Sequence, residues 1–227
     1  MKVKFLFVGI VIFSFLAAGP ISNRAQSQAA PSSATQQQRP TSEPYTGDLS
    51  IFDSPGRDQR LQVNRVMDVL GITAGKAVAD IGAGSGWFTV RAARRVGDSG
   101  IVYAVEINPE AVRYIDDRAK KEDLHNIKTI LGQPADPLLP ANSVDAVLLL
   151  KAYHEVAQPV VLLKNLRAAL RPGAKVGVID RNGNGENHGV NRDVVIREAG
   201  EAGYKLQAQY DFVKGDKVDY FLVFTQK

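Results

Sequence analysis

Three glycines at alternate positions follow an apolar run and one aspartate in Val78-Ala-Asp-Ile-Gly-Ala-Gly-Ser-Gly86. Gly82, Gly84 and Gly86 tolerate positive φ and let a ligand approach the backbone. The pattern predicts a buried strand that delivers a tight turn into a helix. Crevices at the carboxyl ends of such strands are where open α/β sheets bind ligands. Two ligand classes compete for the turn. A dinucleotide fingerprint reads G-x-G-x-x-G, and here the third glycine comes one residue early. Asp80 would oppose a pyrophosphate, but it would attract an ammonium group. A ligand with an amino-acid end and an adenosine end therefore suits the site better than a dinucleotide. Glu106 closes the next apolar run, 20 residues after Gly86, where a carboxylate can accept from both ribose hydroxyls. Asp136, in Gly132-Gln-Pro-Ala-Asp-Pro-Leu-Leu-Pro140, is placed to accept from an adenine amino group.

A second group of reactive side chains follows the apolar run 144–150: Lys151, Tyr153, His154 and Glu155. Imidazole exchanges protons near neutrality, so His154 is the first candidate for a general base, with Tyr153 beside it. After the run 175–180 come Asp180, Arg181 and a polar loop, 182–189, carrying Gly183, Gly185 and Gly189. His188 in that loop is a candidate substrate contact, and His125 reads as a surface residue. With three histidines this far apart in sequence and no cysteine, the expectation is no metal site, no disulfide and no thiol nucleophile.

These residues need elements to hold them. Val63, Val66, Met67 and Leu70 fall at helical spacing and predict a helix over 58–70, ended by Gly71. Strands are predicted at 77–81, 101–106, 127–131, 144–150 and 175–180. Helices are predicted at 87–96, 109–121, 158–170 and 191–202, with Pro109 at a first helical position. Alternating strands and helices with short connections imply a parallel sheet covered on both faces. The end differs. Tyr204, Leu206, Ala208, Tyr210 and Phe212 alternate with polar residues, and so do Val218, Tyr220, Leu222 and Phe224 after Lys214-Gly215-Asp216. That pattern predicts an antiparallel hairpin around a tight turn. The expected fold is a doubly wound α/β sheet of seven strands, mostly parallel, with a C-terminal antiparallel hairpin.

At this point the chain resembles the class I S-adenosylmethionine-dependent methyltransferases. Segments VADIGAGSG (78–86), VYAVEIN (102–108), GQPADPLLP (132–140), SVDAVLLLKAYHEV (143–156) and LRPGAKVGVIDR (170–181) match that family in order and spacing. The resemblance covers about residues 60–227. It implies a Rossmann-like seven-stranded sheet with one antiparallel strand near the end, and S-adenosylmethionine as cofactor. By family position, Asp80, Gly82, Ala83, Gly84, Ser85 and Gly86 would line the methionine end, Glu106 with Ile107 the ribose, and Asp136 the adenine, with Lys151 also against the cofactor. The stretch SIFDSPGR (50–57) is similar to an N-terminal element of an exported subgroup. No Asn/Asp-Pro-Pro-Tyr/Phe motif follows the fourth strand, and in this family that motif accompanies methylation of base or amide nitrogens.

The N-terminus reads MKVKFLFVGIVIFSFLAAGPISNRAQSQ: two lysines, an uncharged apolar run, Gly19-Pro20, then Ala25-Gln26-Ser27 in a small-x-small pattern. This is the layout of a secretory signal peptide over 1–27, with an uncleaved membrane anchor as the rival reading. The apolar run is short of the roughly 20 residues that span a bilayer. Residues 28–44 are rich in Gln, Ser, Ala and Pro and predict a disordered linker, leaving 45–227 as one folded domain, which the resemblance makes the methyltransferase domain. The net charge of +4 contains Lys2, Lys4 and Arg24; without them the balance is 25 basic to 24 acidic residues, which disfavours nucleic acid as a partner. The expected function is methyl transfer to a small-molecule acceptor, in a protein exported to the periplasm or beyond, or tethered to the membrane by its N-terminus. A non-catalytic nucleoside-binding protein of the cell envelope is the alternative. An NAD-dependent oxidoreductase ranks third, disfavoured by the glycine spacing and Asp80.

Overall fold

The computed structural model describes residues 39–41, 45–184, 188–213 and 218–227. The segment read as a signal peptide (1–27) and most of the segment read as a linker (28–44) lie outside the described residues, as do Gly185 and the expected turn at Lys214-Gly215-Asp216. Seven strands form one sheet: β1 (Ala77–Ile81), β2 (Ile101–Glu106), β3 (Ile127–Leu131), β4 (Val144–Leu150), β5 (Leu170–Arg181), β6 (Tyr204–Tyr210) and β7 (Asp219–Gln226). Their order is β3-β2-β1-β4-β5-β7-β6. The first five pair in parallel, and β7 runs antiparallel to both β5 and β6. The expected doubly wound sheet with its terminal hairpin is what the chain forms.

Strands β1 and β4 are apolar at successive positions because both of their faces are covered. Ala79, Val147 and Leu149 point into one buried layer, with α5 (Pro159–Leu166) and α6 (Arg192–Glu201). Val78, Ala146 and Leu148 point into the other, with α2 (Val63–Leu70) and α3 (Trp87–Val96). A further helix, α4 (Pro109–Lys121), sets Ile115 against Ala104 of β2. Its start is capped by Asn108, whose side chain accepts from the Glu110 amide at 2.8 Å.

Three elements depart from the periodicity. The helix expected over 58–70 is two helices, α1 (Arg57–Leu61) and α2, because Gln62 turns left-handed at φ 46°. Its side chain donates to the Phe212 carbonyl at 2.9 Å, a tertiary contact no local pattern reveals. Helix α5 stops at Leu166, and a 3-10 turn, Arg167–Ala169, feeds directly into β5. That strand begins five residues earlier than expected. Leu170 pairs with Val144 and Lys175 with Ala146, so Arg171-Pro172-Gly173 is accommodated as an irregularity between them.

The chain leaves β1 toward β2 and β3 and then crosses to β4 on the other side. Loops after β1 and β4 therefore diverge, opening a crevice at the carboxyl edge of the sheet.

Candidate functional site

The loop after β1 lies in that crevice. Gly82 has φ 72°, and a Cβ there would sit 2.5 Å from the Ala152 Cβ, so the position is closed to any side chain. The loop is tied to the end of β2: the Gly84 amide donates to Glu106 Oε1 at 2.7 Å, and the Ile107 amide donates to Oε2 at 2.9 Å. Gly86 serves packing instead, because a Cβ there would press on Ile115 at 3.2 Å.

Asp80 is 2% exposed, and Thr89 Oγ1 donates to its Oδ2 at 2.7 Å. Burial pushes its carboxyl up to about 7; the nearby Glu106 charge adds to the rise, while the Thr89 hydrogen bond and Arg57 oppose it. Asp80 and Arg57 line a small recess of about 40 Å³ together with Gly82, Ala83 and Gly84. The Arg57 guanidinium lies 4.3 Å from the Trp87 ring centroid and donates to the Phe52 carbonyl; its burial lowers its pKa. The recess thus holds an acid and a base, both short of water.

A segment ahead of α1 closes over the loop. The 3-10 turn Leu49–Asp53 puts the Phe52 ring against Gly84, which a Cβ would meet at 3.6 Å. Asp53 pins the turn by accepting from Ser85 Oγ at 2.7 Å and from Arg118 of α4 at 2.9 and 3.0 Å. Ser85 is accordingly buried and bonded to this strap. Phe52 and Asp53 lie in the segment SIFDSPGR, but neither they nor Arg118 were given a role from sequence, since their partners lie 32 or more residues away.

A larger cleft of about 530 Å³ shares Phe52, Gly82 and Gly84 with the recess, a volume in the range of small-molecule sites. On the β2 and β3 side it is lined by Glu106, Ile107, Gln133, Pro134 and Pro137. Asp136 stands apart from this wall. Its Oδ1 accepts from the Leu138 amide at 2.9 Å and its backbone bonds to Gln133, so its carboxylate shapes the turn that presents Gln133 and Pro137.

On the β4 and β5 side the lining includes Lys151, Ala152, His154, Glu155 and His188. Lys151 has φ 57° and pairs through Nζ with the buried Asp219 at 2.6 Å. His154 Nδ1 lies 2.9 and 3.0 Å from the two oxygens of Asp180, a fully buried carboxylate at the end of β5. Asp180 also accepts from the His154 and Arg181 amides at 3.0 and 2.8 Å, which fixes its orientation. With Nδ1–H donated to Asp180, Nε2 keeps a lone pair on the cleft side. Sequence reasoning noted Asp180 without this role, because it depends on β4 and β5 ending side by side.

Two expectations are corrected here. Tyr153 is fully buried, and its hydroxyl donates to Glu198 Oε2 at 2.9 Å, under Arg39. Burial raises its pKa well above the usual phenol range, with the Glu198 charge adding to the rise; its side chain packs in the core and does not line the cleft. The histidines are not all scattered: the His154 and His188 rings are 5.9 Å apart, with Glu155 between them. His125 remains at the surface, against Asp123.

Comparison with known proteins bears on the fold that frames this crevice. The sequence model of the family described as "Methyltransferase domain" matches residues 78–173. The chain is 27% identical over 110 residues to demethylmenaquinone methyltransferase of a Geobacillus species, covering 48% of this chain and 47% of that one. It is 32% identical over 130 residues to nocamycin O-methyltransferase of Saccharothrix syringae, covering 56% and 46%. The chain therefore spans about half the length of these curated relatives. Among solved structures, a SAM-dependent methyltransferase from Aquifex aeolicus aligns with TM-score 0.71 at 23% identity, over 78% of this chain and 95% of that one. Fibrillarin of Aeropyrum pernix, solved with natively bound S-adenosyl-L-methionine, aligns with TM-score 0.54 at 19% identity, over 71% and 74%. At these identities the structural matches establish the Rossmann-like methyltransferase fold.

Proposed function

We propose that the protein binds S-adenosylmethionine and transfers its methyl group to a small hydroxyl-bearing acceptor. The observation that carries this reading is a single crevice that holds both a zwitterion-plus-nucleoside cradle and an oriented imidazole. The cradle fits the cofactor. Asp80 would hold the ammonium and Arg57 the carboxylate within one recess, and Gly82 and Gly84 leave the backbone bare. Glu106 stands where a ribose diol would be read, and Ile107, Pro134 and Pro137 offer apolar contact to a base. When bound, S-adenosylmethionine supplies an electrophilic methyl group on a sulfonium.

Transfer from a sulfonium needs alignment and exclusion of water more than acid–base help. The strap pinned by Asp53 covers the glycine loop and supplies that exclusion. A hydroxyl acceptor must also lose a proton. His154 Nε2 takes it, Asp180 holds the ring and stabilises the imidazolium, and Glu155 Oε1, 3.2 Å from Nε2, receives the new N–H. The relatives whose names specify methylation of oxygen or of demethylmenaquinone are compatible with such an acceptor.

The domain division at residue 45 and export through residues 1–27 belong to the same proposal, supported by the pattern of charge and hydropathy in the sequence. Among the described residues no helix is long and apolar enough to cross a membrane.

The test is calorimetric titration with S-adenosylmethionine, S-adenosylhomocysteine and NAD, followed by a screen of hydroxylated acceptors. Binding of the first two without NAD, with turnover lowered at least about tenfold in His154→Ala at unchanged cofactor affinity, is the expected result. Cofactor binding without turnover on any acceptor would favour the non-catalytic reading, and absence of cofactor binding would end both.

A further inference from the structure

We infer that His154, Glu155 and His188 form a site for one divalent transition-metal ion of the zinc type, at the mouth of the cleft. One ligand atom from each of the three lies within 4.8 Å of the others. Glu155 Oε1 is 3.2 Å from His154 Nε2 and 3.2 Å from His188 Nδ1. Ligands about 2.1 Å from a tetrahedral zinc ion stand about 3.4 Å apart, close to the 3.2 Å of two of the three separations. Two imidazoles and a carboxylate are a donor set that zinc, iron, cobalt and nickel favour over calcium or magnesium.

A second observation points the same way. Nδ1 of His154 meets the carboxylate of Asp180, which is fully buried and held by two backbone amides. A carboxylate on the far nitrogen is the usual outer partner of a metal-bound histidine, since it sets the tautomer and strengthens the donor. The ring is therefore wedged between two carboxylates, Asp180 on Nδ1 and Glu155 on Nε2. His188 adds its donor from a backbone held at φ 48°, a left-handed conformation uncommon for a side-chain-bearing residue. The three line the 530 Å³ cleft, which leaves a coordination position facing the acceptor space.

The inference stands on this cluster and does not need the methyl-transfer reading. If both hold, a filled metal site and a proton-accepting His154 exclude each other, because they use the same lone pair. The experiment is titration of the EDTA-stripped full-length chain with Zn2+ by calorimetry and with Co2+ by visible absorption. One equivalent should bind, with an intense d–d band for Co2+. His188→Ala and Glu155→Gln should each weaken binding at least about tenfold. His125→Ala, at the exposed pair with Asp123, should leave it unchanged. His188 is 75% exposed in its side chain, so its loss should not unfold the protein. Unchanged S-adenosylmethionine affinity in His188→Ala reports on the cofactor reading separately. Failure of Zn2+ and Co2+ to bind, or binding insensitive to His188→Ala and Glu155→Gln, would overturn the proposal.

Discussion

Replacing Asp80 by asparagine removes a charge and keeps an oxygen for the Thr89 hydroxyl, which donates at 2.7 Å. In the native protein burial lifts this carboxyl from 3.8 to about 7, while in the unfolded chain it titrates at the ordinary value. Between those two pH values the native state keeps a proton that the unfolded state has released. The sign follows: a raised native pKa gives stability that is fully present below the unfolded pKa and is lost as pH rises through the native one. A rise from 3.8 to about 7 corresponds to about 4 kcal/mol across the window. Asparagine has no such dependence. Urea unfolding of both proteins, from about pH 5 to about pH 8, should show the variant gaining about 3 kcal/mol on the wild type as pH rises, the share of the window that lies above pH 5. The same variant should lose S-adenosylmethionine binding in the calorimeter, because the ammonium loses its counter-charge. A difference in stability that does not change with pH would refute the claim that Asp80 is a desolvated acid. Retained cofactor affinity would refute its place in the cradle.

Two further substitutions separate structural from chemical roles. Gly82→Ala forces a side chain into a left-handed position and against Ala152, whose Cβ would lie 2.5 Å away; a cost of about 1–3 kcal/mol is expected from the backbone alone, read as a lower thermal midpoint, with cofactor binding abolished. Tyr153→Phe removes the hydrogen bond to Glu198 and leaves that carboxylate with Arg39. It should lower stability by about 1.5–3 kcal/mol and leave kcat unchanged, and a fall in kcat at full stability would return Tyr153 to the chemistry.

Much of this architecture was legible in the chain because its causes are local. Continuous apolar runs closed by glycine mark strands buried on both faces, and Asn108-Pro109 starts a helix by capping and a preset φ. Asp80, the three glycines and Glu106 sit within one strand–turn–helix–strand unit, so their spacing carries their placement. The neighbouring, parallel placement of β1, β2 and β3 follows from short crossover connections between them, for which one hand is strongly preferred.

What sequence spacing could not supply is every relation set by elements distant in the chain. Asp136 sits in the expected loop, yet its carboxylate bonds to its own turn at Leu138. Tyr153 adjoins His154 in sequence, yet its hydroxyl points into the core at Glu198. His188, 34 residues from His154, comes to within a ring contact of it because β4 and β5 end side by side. The sequence by itself determined the sheet, the glycine loop and the carboxylates that flank it, since hydrophobic period and turn chemistry act over a few residues. Only the tertiary structure decided which polar side chains share the crevice. A hydrogen bond or a ligand set depends on distances of about 3 Å between groups whose separation along the chain carries no information about them.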